Sequence, residues 1–178
     1  MVRLLGETAA LGGGHAEKKR HLMDGLCRIL GVDAWVWALG QRVDPNVSQP
    51  DFSALHGGFS DARFAQVNVA LENPIMGEIE NHFFGLIEQT GQQVTMTRAE
   101  ADPEGLALDS EIAATWQAVD VGSIIMSGFP VERGSISYIG FYRRFGDSDF
   151  SEREKQICLL YTSPSPRDQR GSRMPSSA

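Results

Sequence analysis

Two apolar runs, Ser123–Val131 and Ser135–Arg144, stand three residues apart across Glu132-Arg133-Gly134. No other feature limits the fold as much. A three-residue connector with glycine in the left-handed position fits a β-hairpin. Parallel strands would need a crossover of a dozen residues or more. The chain must therefore build an antiparallel sheet. Along the second run Ile136, Tyr138, Gly140 and Tyr142 share one face, and Ser137, Ile139, Phe141 and Arg143 share the other.

Further strands follow from composition. Asp33–Val43 contains Ala34-Trp35-Val36-Trp37-Ala38-Leu39, apolar throughout, which suits a strand covered on both faces. Trp35 and Trp37 point to one side. Two indoles on one face either line a ligand cavity or fill a core against a helix. Phe52–His56 reads as the next strand, ended by Gly57-Gly58 and joined through the polar stretch Asp44–Pro50 as an antiparallel meander. Gln93–Arg98 reads as a short alternating strand.

Helices alternate with these strands. Val2–Leu11 places Val2, Leu5 and Ala9 on one face. Gly12-Gly13-Gly14 interrupts it as a flexible joint, with no Lys-Ser/Thr after it to suggest a phosphate cradle. Ala16–Leu30 carries Leu22, Leu26, Ile29 and Leu30 at helical spacing, with Gly31 as the expected stop. Ser60 is a natural N-cap for a helix to Leu71 bearing Phe64 and Val67. Asn73-Pro74 opens another with the stripe Ile75, Ile79, Phe83, Leu86 and Ile87, stopped by Gly91. Ala99–Leu108 reads as an acidic loop with a turn at Asp102–Gly105. Asp109 or Ser110 starts a helix carrying Ile112, Trp116 and Val119. Ser151-Glu152-Arg153-Glu154 is a capping box that launches a last helix.

With 178 residues the chain has room for about one domain. Its 42% hydrophobic and 22% charged content is ordinary for a globular fold. Two cysteines, Cys27 and Cys158, exclude a disulfide scaffold and have no zinc-like spacing. No apolar run approaches the ~18 residues of a membrane span, and residues 1–7 do not read as a secretory signal. A reduced, cytoplasmic location is expected. A net charge of −7 argues against gripping a phosphate backbone.

Catalytic signatures are missing from the sequence. It holds no Gly-x-Ser-x-Gly elbow, no His-Glu-x-x-His and no Cys-x-x-Cys. His15 and His21, six apart, do not share a helical face for a metal. His56 reads as a strand-end polar residue, and Glu78, Glu80 and Glu88 read as solvated charges. Neither an enzyme nor a bound cofactor is expected.

The order of Gly14–Leu26, Ala34-Trp35-Val36-Trp37, Ile139-Gly140-Phe141-Tyr142-Arg143-Arg144 and Phe150-Ser151-Glu152-Arg153-Glu154 resembles the N-terminal half of bacterial LuxR-type transcriptional regulators. The resemblance covers Val2 to Ile157. It implies an α+β fold: a single PAS/GAF-like domain, mainly antiparallel sheet with flanking helices. It also implies a signal-sensing or dimerisation role, with an unknown small-molecule ligand or a homodimer partner. DNA would be reached only through a C-terminal helix-turn-helix that this chain lacks. If a ligand pocket exists, Trp35, Trp37, Tyr138 and Tyr142 are expected to line it. A standalone GAF-like small-molecule domain, or the sensory part of a signalling enzyme, is the alternative.

A composition break follows Ile157. Cys158–Asp168 resembles one reading frame of a transposon-type sequencing adapter, and Ser172–Ala178 the outer adapter in the same frame. The division expected is therefore a sensor domain over 1–157 and an adapter-like tail over 158–178, packing poorly beyond about residue 160. Setting aside the tail's three arginines and one aspartate moves the net charge from −7 to −9.

Overall fold

The computed structural model describes residues 2–41, 51–109, 111–131 and 135–162, all but Val2, Gln41, Asp51 and Phe52 with their side chains. The Asp44–Pro50 connection, the Ser110 cap, the Glu132–Gly134 loop and residues 163–178 of the tail lie outside them. Five strands form one sheet: β1 (Ala34–Gln41), β2 (Asp51–Gly57), β3 (Val94–Thr97), β4 (Ser123–Pro130) and β5 (Ser135–Arg143). Their order is β2-β1-β5-β4-β3, and every neighbouring pair is antiparallel. The helices are α1 (Val2–Ala10), α2 (His15–Leu30), α3 (Asp61–Leu71), α4 (Pro74–Thr90), α5 (Arg98–Ala101), α6 (Leu106–Asp109), α7 (Ala113–Ala118) and α8 (Glu152–Thr162). The protein is a single α+β domain with the hairpin β4–β5 inside its sheet.

Local chemistry sets most of the boundaries. Gly31 and Gly91 end α2 and α4 in the left-handed region, each at φ 61. Ser60 Oγ accepts from Arg63 N at the start of α3, and Asn73 Oδ1 accepts from Ile75 N at the start of α4. At α8 the Ser151 N–H donates to Glu154 Oε2 at 2.8 Å, completing the capping box. Gly14, in the glycine triplet, is the N-cap of α2, and its N–H donates to Glu17 Oε2.

Several expectations need correction. The stretch 99–108 is not one loop: α5 and α6 are single helical turns on either side of the Asp102–Gly105 turn. Thr97 and Glu100 form a capping box for α5. Asp102 accepts from the Leu106 and Ala107 N–H groups and so starts α6. In α1 the inward face carries Leu4 and Thr8, while Leu5 is 48% exposed. The reason is contact with α2: Leu4 sits over Gly25, where an added Cβ would lie 2.3 Å from Leu4 Cδ1. In α2, Met23 is buried and Ile29 exposed.

α8 runs past Ile157 to Thr162. Cys158 and Thr162 are buried, so packing does not fail at residue 160. The helix lies against β3 and β4, where polar side chains receive it. Thr162 Oγ1 donates to Cys158 O, lies 2.7 Å from Ser127 Oγ and accepts from Gln93 Nε2.

The sheet divides the core in two. Trp35, Ile125, Ile139 and Phe141 pack with Met23, Leu26, Leu30 and Cys158 beneath α1, α2 and α8. Ala34, Val36, Ala38, Ile124, Met126 and Tyr142 pack with residues of α3, α4 and α7 on the other side.

Candidate ligand site

The register decides which aromatic residues can meet. Trp35 lies opposite Phe141 and Trp37 opposite Ile139, so both indoles face α2. Tyr142 lies opposite Ala34 and Tyr138 opposite Ala38, so both phenols face α4. The four residues expected to line one pocket are thus split between the two sides. Trp35 Nε1 donates to Asp24 Oδ1 at 2.8 Å and Trp37 Nε1 donates to Ser137 Oγ at 3.1 Å. Lys19 Nζ stands 4.4 Å from the Trp37 ring centroid. On that side the indoles fill core and their polar atoms are paired.

The α4 side differs. The small residues Ala34, Val36 and Ala38 leave room for the two tyrosines, whose rings lean across Gly140. An added Cβ there would lie 2.6 Å from Tyr138 Oη and 3.0 Å from Tyr142 Oη. The two hydroxyls stand 3.5 Å apart, the long end of a hydrogen bond. Burial pushes the Tyr142 phenol up to about 12 and raises that of Tyr138 well above its ordinary value.

Aromatic rings surround this pair. Phe83 and Phe84 of α4 lie 6.1 and 6.3 Å from Tyr138. Phe59 packs edge-on to Tyr142 at 5.2 Å, and His56 stacks on Phe64 at 4.0 Å. Arg63 covers Phe59 at 4.9 Å while its guanidinium donates to the Val119 and Asp120 carbonyls, closing α3 onto the end of α7. On the adjoining strand β4, Gly128 lets α4 approach closely, since a Cβ there would lie 2.7 Å from Ile87 Cδ1.

Unpaired polar atoms lie on this side, as Thr8 Oγ1 and His21 Nε2 lie on the α1 and α2 side. Trp116 is fully buried in this core, and its Nε1 has no hydrogen-bond partner among the described residues. The Nδ1 of His56 is likewise buried and unpartnered. Glu80 sits between Ile79 and Phe83 on the inward half of α4, half-buried rather than solvated as its sequence context suggested. Burial alone pushes its carboxyl up to about 7, and no cation or donor offsets it. Its charge acts on both tyrosines. The signal was present in the sequence: Met76, Glu80, Phe83 and Ile87 follow helical spacing, which places an acid within the apolar stripe. Glu78 and Glu88 are exposed, as expected.

A buried donor or acceptor left unpaired costs about 1–3 kcal/mol. Trp116 Nε1 and His56 Nδ1 leave two such atoms between the sheet and α3, α4 and α7, where Glu80 is half-buried. Among the described residues no three His, Cys, Asp or Glu side chains cluster to hold a metal ion, and no helix is long and apolar enough to cross a membrane.

No protein-family profile matches the chain, and no curated protein matches it by sequence. Solved structures do match its fold. SdiA in complex with octanoyl-rac-glycerol is similar at a TM-score of 0.57 and 13% identity, over 90% of this chain and 59% of that one. Escherichia coli SdiA in another crystal form is similar at 0.54 and 11%, over 89% and 66%. The ligand-binding domain of VqsR from Pseudomonas aeruginosa is similar at 0.54 and 13%, over 89% and 84%. The chain spans two thirds or less of the two SdiA chains. At these identities the likeness shows the fold: that of the ligand-binding domains of LuxR-type regulators.

Proposed function

We propose that this chain is the non-catalytic, signal-sensing domain of a LuxR-type transcriptional regulator. A small molecule binds between the sheet and α3, α4 and α7. The observation that carries this reading is Trp116 Nε1, a donor fully buried between the sheet and α3, α4 and α7 with no partner among the described residues, with His56 Nδ1 unpartnered on the same side. The complex of SdiA with octanoyl-rac-glycerol supports an amphipathic ligand for a fold of this kind.

Output follows from linkage: a ligand that favours one conformation of the domain shifts its population. Tyr142 faces the site, and the next residue, Arg143, faces the opposite side and holds α8. Displacement of β5 by a ligand would therefore reach the exit helix through adjacent residues. DNA contact belongs to a helix-turn-helix C-terminal to this domain, and the domain pairs with a second copy of itself.

The test is direct binding. Octanoyl-glycerol and an N-acylhomoserine lactone are titrated into the chain while thermal unfolding is followed. Stabilisation that saturates, and that weakens in Trp116→Phe and Tyr142→Phe, is the expected result. No stabilisation by any amphipathic probe rejects the reading.

A further inference from the structure

Arg98 is a buried cation with a vacant donor. It opens α5, which packs on α4, β3 and β4 and whose Ala101 belongs to the α4-side core. Arg98 is only 6% exposed. Its Nη2 donates to Gly122 O, whereas Nη1 is buried with no hydrogen-bond partner among the described residues. Two carboxylates act on the guanidinium, and both are spent on backbone. Asp102 accepts from the Leu106 and Ala107 N–H groups at 2.9 Å each, and Asp149 Oδ1 accepts from Phe150 N at 2.8 Å. Burial outweighs their pull and disfavours the charged form of Arg98. One connection ties this group to the candidate site. Val121 N donates to Trp116 O at 3.0 Å, and the next residue, Gly122, supplies the carbonyl that holds Arg98 Nη2. Trp116 and Arg98 are thus braced on consecutive residues between α7 and β4. Each keeps a buried donor without a partner, the indole Nε1 and the guanidinium Nη1. Vacant donors call for an acceptor, and one of these carries a full positive charge.

We propose that the ligand is an apolar chain ending in a carboxylate, and that Arg98 Nη1 receives the carboxylate at the α5–α7 end of the site. This rests on the α4 side being the ligand site. A guanidinium–carboxylate bond is charge-assisted and about twice as strong as one between neutral groups. A single guanidinium with one vacant nitrogen balances a single negative charge, so a carboxylate fits it better than a phosphate dianion. An ammonium head would bring like charge and more donors to a place that lacks an acceptor. Glu80 does not oppose an acid: burial pushes its carboxyl up to about 7, so near neutrality it is balanced between its two forms.

The experiment compares three probes of equal chain length, octanoate, octanol and octylamine, titrated calorimetrically into the full chain in 0.15 M salt. The proteins are the wild type, Arg98→Met, Arg98→Lys and the exposed control Arg28→Met. Octanoate should bind the wild type about tenfold or more tighter than octanol, with octylamine weakest. In Arg98→Met the preference for octanoate should vanish while octanol binding stays within about twofold. A merely structural loss would weaken both probes alike. Arg98→Lys keeps the charge without the fork and should retain part of the preference, which gives a reading even where Arg98→Met does not fold. Arg28→Met should behave as wild type. Equal binding of octanoate and octanol by the wild type, tightest binding of octylamine, or a full preference surviving in either Arg98 variant overturns the carboxylate assignment and leaves the site standing. Binding of none of the three overturns the site itself.

Discussion

Arg143 Nη2 lies 2.5 Å from Glu154 Oε1, joining the end of β5 to the first turn of α8. The same guanidinium donates to Leu30 O at 2.7 Å, to Ser148 O at 3.1 Å and to Asp149 O at 3.2 Å, and stands 4.3 Å from the Phe150 ring centroid. One buried cation thus gathers the C-terminus of α2, the 144–151 connection and α8. Removing it would leave the buried Leu30 carbonyl without this donor, release the 144–151 connection and leave Glu154 with only its Ser151 bonds. Arg143→Met should therefore destabilise the domain by about 3 kcal/mol, and Glu154→Gln by about 1 kcal/mol, in urea unfolding. Equal small losses in both would show that Arg143 does not organise this junction.

A pH signature is expected from Glu80. Its carboxyl is raised by burial from 4.5 to about 7, so the folded state holds the proton more tightly than the unfolded chain does. The stabilising contribution is complete below the unfolded value and is lost as pH rises through the folded one. Between pH 4.5 and 7 the stability of wild type should fall relative to Glu80→Gln by up to about 3 kcal/mol, less whatever solvent screens. Parallel stability curves for the two proteins across that window would remove the buried acid from the description.

Close backbone approach makes two glycines sensitive. Gly128→Ala would place a methyl 2.7 Å from Ile87 Cδ1 and 3.0 Å from Phe83 Cζ. Overpacking of this kind costs about 1–3 kcal/mol. Gly140→Ala would instead drive the Tyr138 and Tyr142 hydroxyls apart. Ligand affinity should drop in Gly140→Ala by more than stability predicts, whereas Gly128→Ala should lose mainly stability. Thermal melts with and without ligand separate the two.

Trp116→Phe removes an indole N–H that has no partner among the described residues. The unliganded domain should be unharmed, or stabilised by about 1 kcal/mol, because an unsatisfied donor disappears. Ligand affinity should fall in the same variant. Trp35→Phe gives the contrast: its Nε1 bond to Asp24 is made in the unliganded fold, so stability should fall by about 1 kcal/mol. A strong destabilisation by Trp116→Phe would mean that its ring, and not its vacant donor, is what the fold uses.

Much of the fold was legible because its signals are local. The hairpin between Ser123 and Arg143, the caps at Ser60, Asn73 and Ser151 and the stops at Gly31 and Gly91 each depend on a few consecutive residues. The single turns α5 and α6 were missed because segments of four residues on either side of a proline-containing turn carry no periodicity to read. Thr97 and Glu100 were nonetheless a capping box in plain view. The site was half legible. Alternation correctly placed Trp35 with Trp37 and Tyr138 with Tyr142, yet alternation within a strand says nothing about which face meets which helix.

By itself the sequence determined most of the elements, the antiparallel hairpin and the two-sided character of β1 and β5, since dihedral preferences and side-chain period are properties of neighbouring residues. The tertiary structure decided that Trp35 and Trp37 lie under α2 while Tyr138 and Tyr142 lie under α4. It also decided that Glu80 is half-buried, with no counter-charge among the described residues. Those outcomes depend on strand register and helix docking between residues 100 or more positions apart, as in the Trp37–Ser137 hydrogen bond, and only the assembled packing sets the dielectric around a carboxyl group.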